Sequence, residues 1–382
     1  MEDPWDDPLP ARPMSKRCVL YLGGFYLYPP DAAGRRVLSI ASLIAKEGFE
    51  VILYPSNMDA PEGTVFSASE NYEAARDLSQ LPHLAYVRLV ARALRRRRPD
   101  AAIVYNPTSL LAATVWLVAQ RTGTRCVLDV TEWYQYSHFG SLKWVLEIFV
   151  RMHLVYRLFA RAICGSYYLA EHFGRKLSVV IPPLPSIGAV AGPHAPPLAP
   201  GPLRLVYAGF PGQHKDKIPE TIQFLDEVAF ATPFPIELHL AGPERSQIGD
   251  LMPRSGNFRL IAHGRLGREE LRDLYALCHL SVLIRSNERY EWAGFPMKAT
   301  ESWASGVPVV VMSHSRFAQT ATAYGASVVI DPQDPVGSLR NGLTTLYGNP
   351  DAYREKSTGA LRLVEDRHSP ETYRESIRRI LL

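Results

Sequence analysis

Short apolar runs, rich in β-branched residues, recur along the chain and alternate with segments whose apolar residues return every three or four positions. In the first half the runs lie at 18–22 (CVLYL), 50–54 (EVILY), 101–105 (AAIVY), 125–129 (RCVLD), 161–164 (RAIC) and 178–181 (SVVI). Runs without polar alternation predict strands buried on both faces. After the first, Val37, Leu38, Ile40, Ala41, Leu43 and Ile44 repeat at helical spacing and stop at Gly48, a common helix terminator. A further helical segment begins at Ser109. Strand, glycine loop, helix and strand in that order form crossover units, which imply a parallel sheet.

The order breaks once. Residues 182–202 read PPLPSIGAVAGPHAPPLAPGP, and so much proline, glycine and alanine builds no packed element. Beyond it, strands are predicted at 203–208, 236–240, 258–262, 280–284, 307–311 and 327–330. The expected organisation is an acidic tail over 1–13, a Rossmann-like domain over 14–185 and a linker over 186–202. A second Rossmann-like domain then covers 203–365, and a C-terminal helix over 366–382 returns to the first domain. The fold class is α/β, two Rossmann-like domains facing a cleft. Such sheets bind ligands beyond the carboxyl ends of their strands. That points to the loops after Leu22, Asp129, Ala208, Ile284 and Ala293.

A length of 382 residues fits two domains, and 47% hydrophobic with 21% charged residues excludes a disordered or coiled-coil chain. The net charge of +4 conceals an asymmetry. Residues 14–190 carry 20 basic and 13 acidic side chains, whereas residues 191–382 carry 21 of each. This excess is too small for a dedicated nucleic-acid binder but favours an anionic partner. No signal-peptide pattern opens the chain, and the longest apolar stretch, 110–119, is shorter than the roughly 20 residues of a bilayer span. Cys18, Cys126, Cys164 and Cys278 are scattered without CxxC spacing, which suits reduced buried thiols better than disulfides or zinc. The expected location is the cytoplasm.

The segment 293–310, AGFPMKATESWASGVPVV, is richest in chemistry. Gly294 and Phe295 lead into a short helix whose first turn suits Pro296, and the free amides of a helix start attract anions. Lys298 in that turn opposes the helix dipole unless it faces a bound phosphate. Glu301, one turn on, is placed to accept from ribose hydroxyls. The plain alternative is a well-capped helix between two strands. Lys215 follows the turn Gly209-Phe210-Pro211-Gly212, and Arg285 and Arg289 follow the strand at 280–284. Cations there would stabilise a diphosphate leaving group. Lys215 reads equally as a solvated lysine beside Asp216 and Lys217; Arg285, ending a buried strand, is the stronger candidate.

The run Gly-Phe-Pro-x-Lys-x-x-Glu-x-x-x-x-Gly-x-Pro-Val-Val resembles the sugar-nucleotide loop of family-4 glycosyltransferases of the GT-B fold, of the bacterial polysaccharide type. The resemblance extends to Gly23-Gly24, to Pro30-Asp31-Ala32-Ala33-Gly34-Arg35-Arg36, and to Tyr207-Ala208-Gly209 with Lys215. It also takes in His263-Gly264-Arg265-Leu266, followed by Glu269-Glu270-Leu271 and Leu274-Tyr275. It implies sugar transfer from a nucleotide-diphosphate donor, usually with retained configuration, and without a metal or other cofactor. The donor site would draw on Gly23, Gly24, Gly209, Lys215, Arg265, Leu266, Arg285, Gly294, Phe295, Pro296, Lys298 and Glu301.

Two positions depart from the family. An arginine normally follows the glycine at 209; this chain has Phe210, so Arg285 is read as its substitute. The usual signature pairs two glutamates separated by seven residues. Glu301 matches the second, but the first position is Ala293, and Glu291 lies two residues early. Ala293 suggests a catalytically silent nucleotide-sugar-binding or scaffold subunit as an alternative reading; a nucleotide-sugar epimerase of the same architecture is another.

In the first half, Gly23 and Gly24 would let backbone approach the diphosphate or acceptor, or simply turn the chain at a strand end. Asp129 and Glu132 are the candidates for the base acting on an acceptor hydroxyl; a helix cap or salt bridge is the other reading. The basic run 92–99 closes a helix, where cations are favourable on dipole grounds. Residues 142–161 mix apolar side chains with Lys143, Arg151, Arg157 and Arg161, which suits either a helix lying on an anionic membrane or a buried helix with a polar edge. The expected acceptor is a glycan or lipid-linked glycan at the cytoplasmic membrane face, with no nucleic acid involved.

Overall fold

The computed structural model describes residues 17–27, 31–55, 72–74, 83–135, 141–173, 177–185, 201–209, 216–243 and 253–382. The acidic tail, most of the linker and Lys215 lie outside them. The chain divides into two compact units, Met1–Pro182 with Pro370–Leu382, and Pro183–Ser369.

The first unit holds strands β1 (Cys18–Gly23), β2 (Glu50–Pro55), β3 (Tyr72–Ala74), β4 (Ala101–Tyr105), β5 (Arg125–Val130), β6 (Arg161–Cys164) and β7 (Leu177–Val180). They form one parallel sheet in the order β3-β2-β1-β4-β5-β6-β7. Leu20 stands opposite Ile52 on one side and Ala102 on the other, all buried, which is why these strands read as unbroken apolar runs. β3 has no such signal: three residues on a sheet edge carry no period. The strand order reverses between β1 and β4, where a doubly wound sheet opens its crevice. Gly23 ends β1 there at φ +137, and a Cβ on it would lie 2.4 Å from the Tyr105 carbonyl oxygen, so the position requires glycine.

Asp31 caps the helix Ala32–Lys46 by accepting from the Gly34 N–H at 2.6 Å. The helix Leu142–Phe149 runs on through a π-helical turn, Val150–Val155, and a short 3-10 turn, Tyr156–Leu158. The segment is buried on one side and exposed on the other. Ile148, Met152, Val155 and Tyr156 are buried, while Leu142, Trp144, Leu146, Phe149 and Leu154 are exposed. The C-terminal helix Arg374–Leu381 packs on Ala32–Lys46, with Arg374 and Arg378 bonded to Glu47 at 2.8 and 2.6 Å.

The second unit holds β8 (Leu203–Ala208), β9 (Ile236–Ala241), β10 (Phe258–Gly264), β11 (Leu280–Leu283), β12 (Val309–Met312) and β13 (Ser327–Ile330). This parallel sheet runs β10-β9-β8-β11-β12-β13, reversing between β8 and β11. β12 starts at Val309 rather than at 307, and the preceding Pro308 has no N–H to give a ladder; its carbonyl accepts from Ser281 at 2.9 Å. The helix Pro350–Arg367 closes the unit and buries Tyr353, Ala360 and Leu363 against a core that includes Trp303 and Leu339.

Candidate functional site

The reversal point of the second sheet gathers charged side chains. Arg285, two residues beyond β11, donates from Nε to Asp216 Oδ1 at 2.7 Å, and its Nη1 lies 2.9 Å from Glu291 Oε2. Tyr207, near the end of β8, donates its hydroxyl to Asp216 Oδ2 at 2.6 Å. Lys298, in the first turn of the helix Met297–Ala304, donates to both Asp216 Oδ2 and the Tyr207 hydroxyl. Its ammonium also sits 4.4 Å from the Tyr207 ring centroid. Three elements therefore converge on one carboxylate, two of them 69 and 82 residues away.

Burial works against the charge on Asp216, but the cations of Arg285 and Lys298, with hydrogen bonds from Lys298 and Tyr207, hold its carboxyl below the usual range. Burial likewise disfavours the Arg285 cation, yet Asp216 and Glu291 raise its affinity for the proton. Burial, then Asp216, pushes the Tyr207 hydroxyl up. All three keep their ordinary charge at neutral pH. Gly209 lies beside them at φ +119, a backbone conformation that favours glycine, with Lys298 Cε 2.6 Å from where a Cβ would stand.

The remaining candidates lie around this cluster or apart from it. Pro296 caps the helix Met297–Ala304, and the Phe295 ring packs 5.2 Å from His368, 5.7 Å from Phe317 and 6.2 Å from Trp303. Gly294 has φ −85, which any residue adopts. Glu301 is buried one turn into the helix, its carbonyl accepting from Ser305. Ala293 is fully buried. Arg289 is exposed at the start of the short helix Arg289–Ala293. Arg265 is exposed beyond β10, and Leu266 packs against an apolar group that includes Val206, Tyr275 and Cys278. Sequence reasoning missed Asp216 as the hub and Glu291 as the partner of Arg285. Asp216 sits between Lys215 and Lys217, a pattern typical of solvated surface, and its partners lie 69 and 82 residues away.

In the first unit, Asp129 is fully buried in β5. Arg36 donates to it from Nη2 at 2.8 Å and from Nε at 3.2 Å, and Tyr21 donates its hydroxyl. Arg36 Nη1 also bonds the Ile181 carbonyl at 2.7 Å. A carboxylate so enclosed ties β1, the first helix and β5 together, and the geometry gives it an anchoring role rather than that of a base. Glu132, two residues past β5, is half-buried on a loop held by Asn106, which bonds both the backbone and the hydroxyl of Thr131 at 3.0 and 2.8 Å. Gly24 is exposed beside Gly23. Among the described residues, no three His, Cys, Asp or Glu side chains are grouped to hold a metal ion.

Residues 31–183 match the glycosyl transferase 4-like domain, and residues 203–349 match the glycosyl transferases group 1 domain. Among solved structures, sucrose-phosphate synthase from Thermosynechococcus elongatus aligns with a TM-score of 0.67 at 14% identity, over 95% of this chain and 98% of that one. HepE from Anabaena, solved with UDP-glucose, aligns at 0.65 and 16% identity over 95% and 99%. WaaG, a glycosyltransferase of lipopolysaccharide biosynthesis, aligns at 0.63 and 13% identity over 94% and 99%. At such identities the likeness is one of fold. No curated protein matches the chain in sequence. With both sheets doubly wound and each half matching a glycosyltransferase domain, the chain belongs to the glycosyltransferases of the GT-B fold.

Proposed function

We propose that the enzyme moves a hexose-type sugar from a nucleoside diphosphate to a glycan or lipid-linked glycan, with retention of configuration, at the cytoplasmic face of a membrane. The observation that carries the donor half is the meeting of Arg285 and Lys298 at Asp216, beyond the carboxyl ends of β8 and β11. A nucleoside diphosphate leaves as an anion, and cations held in place beforehand stabilise the charge as it develops. Asp216 and Glu291 balance the two cations in the free protein. Lys298, whose side chain is 18% exposed against 8% for Arg285, is the more accessible of the two cations to an incoming diphosphate. The bond from the anomeric carbon to phosphate oxygen breaks, the acceptor oxygen bonds to that carbon, and the acceptor proton passes to the departing phosphate. Glu132 is the residue of the first unit proposed to orient the acceptor hydroxyl.

HepE, of the same fold, holds UDP-glucose, which favours a sugar nucleotide as the donor class here. The test is release of nucleoside diphosphate across a panel of sugar nucleotides, preceded by a thermal-shift screen, because a bound donor stabilises the fold in proportion to its affinity. Turnover that Lys298→Met leaves untouched would sink the donor site. A silent binding subunit is the second reading, favoured by the buried Ala293 at the position of the family's first glutamate. Donor binding with no release, with or without acceptor, would establish it; interconversion of donor without acceptor would point to an epimerase.

A further inference from the structure

The helices of the first unit carry an outward face whose chemistry the donor site does not use. His83–Arg97 packs against Ser109–Thr122, which packs against the π-helical turn Val150–Val155 that continues Leu142–Phe149. A helix on a sheet normally turns polar residues to water. Here Leu142 is 83% exposed, Leu146 60% and Leu154 55%, with Trp144, Phe149 and Leu117 exposed beside them. On His83–Arg97 the exposed positions beyond its first residue, His83, are instead Arg88, Arg92, Arg95 and Arg96, spaced along one side, with Leu84 in the same line. Arg121 and Lys143 are exposed on the neighbouring helices. Glu147 is the one acidic residue in 83–97, 109–122 and 142–158, and it is already held by Arg151 and the Ser109 N–H, both at 2.9 Å.

We propose that this three-helix face is a docking surface for an anionic lipid bilayer. Apolar side chains interleaved with arginine and lysine fit the boundary between acyl chains and phosphate headgroups. Charge complementarity decides the occupant, since a second copy of the same face would set arginine against arginine. No helix among the described residues is long and apolar enough to cross a membrane. The inference deepens the membrane part of the proposed function and rests on it. Its test needs neither donor nor turnover, so the two fail separately.

The full chain is floated with phosphatidylcholine vesicles, with and without roughly a third phosphatidylglycerol. Binding is expected only to the anionic vesicles and is expected to weaken as salt rises. At about fivefold per charge, the triple change Arg88→Gln, Arg92→Gln and Arg95→Gln, which removes three charges, lowers partitioning on the order of a hundredfold. Leu142→Ser with Leu146→Ser lowers it independently. Both variants keep the melting temperature of the parent, which separates lost docking from lost folding. Equal binding to neutral and anionic vesicles, absence of binding at low salt, or indifference to both variants overturns the proposal. So does a dimer in sedimentation that Leu142→Ser with Leu146→Ser dissolves while vesicles are ignored.

Discussion

Asp216 and Arg285 are bonded across the reversal point of the second sheet, Nε to Oδ1 at 2.7 Å, with both side chains almost wholly buried. Removing the carboxylate leaves a buried arginine with half its compensation, and breaking one side of such a pair costs about 3–5 kcal/mol. Asp216→Ala is therefore expected to lower folding stability by about 3 kcal/mol in urea unfolding. The double change Asp216→Leu with Arg285→Met also takes Arg285 from the buried Glu291, so it is expected to recover only part of that loss and no donor turnover. A single variant as stable as the parent would show that the pair does not hold this corner of the unit.

Lys298 behaves differently. Without it, Asp216 still has Arg285 and Tyr207, so the fold loses little. Lys298→Met is expected to reduce kcat/KM for the donor on the order of a hundredfold, about 3 kcal/mol of transition-state stabilisation, with a nearly unchanged melting temperature. Steady-state kinetics and a thermal melt on the same preparation check both halves.

The two carboxylates of the first unit separate by the same logic. Asp129→Asn weakens a fully buried bond to Arg36 and is read as lost stability, about 2–3 kcal/mol. Glu132→Gln sits on a half-buried loop, and is expected to leave stability alone while slowing transfer to acceptor more than donor hydrolysis. Equal losses in the two reactions would remove Glu132 from the acceptor side.

His368 predicts the pH response. Burial pushes it down to about 4, against a weaker opposing effect of its bond to the Pro183 carbonyl at 3.0 Å. The unfolded chain takes up the proton first, near the ordinary histidine value of about 6.5. The contribution is whole above that pH and is lost as pH falls through about 6.5 toward about 4, by about 3 kcal/mol in all. His239 and His263 are shifted the same way, mainly by burial, and add to the slope. Asp216 acts only lower, below the usual carboxylate range. Urea unfolding between pH 7.5 and 4.5 reads the slope, which His368→Gln flattens.

The alternation of apolar runs and helical repeats determined two parallel α/β units by itself, because a strand buried on both faces must be apolar throughout and a crossover must return to the same edge. It also marked Arg285 and Lys298, since a cation at the end of a buried strand or in a helix's first turn is costly without a partner. The identity of that partner was not local information. Asp216 meets Arg285 and Lys298 only after β8 and β11 come to lie side by side, and Asp129 becomes an anchor only when Arg36 is brought to it from 93 residues away. The sequence around 142–158 likewise contains apolar and basic side chains without saying which face water. Only the tertiary packing, in which the turn Val150–Val155 meets the helix Ser109–Thr122, buried Ile148 and Met152 and left Leu142, Leu146 and Leu154 outside, since burial depends on what each side of a helix meets in three dimensions.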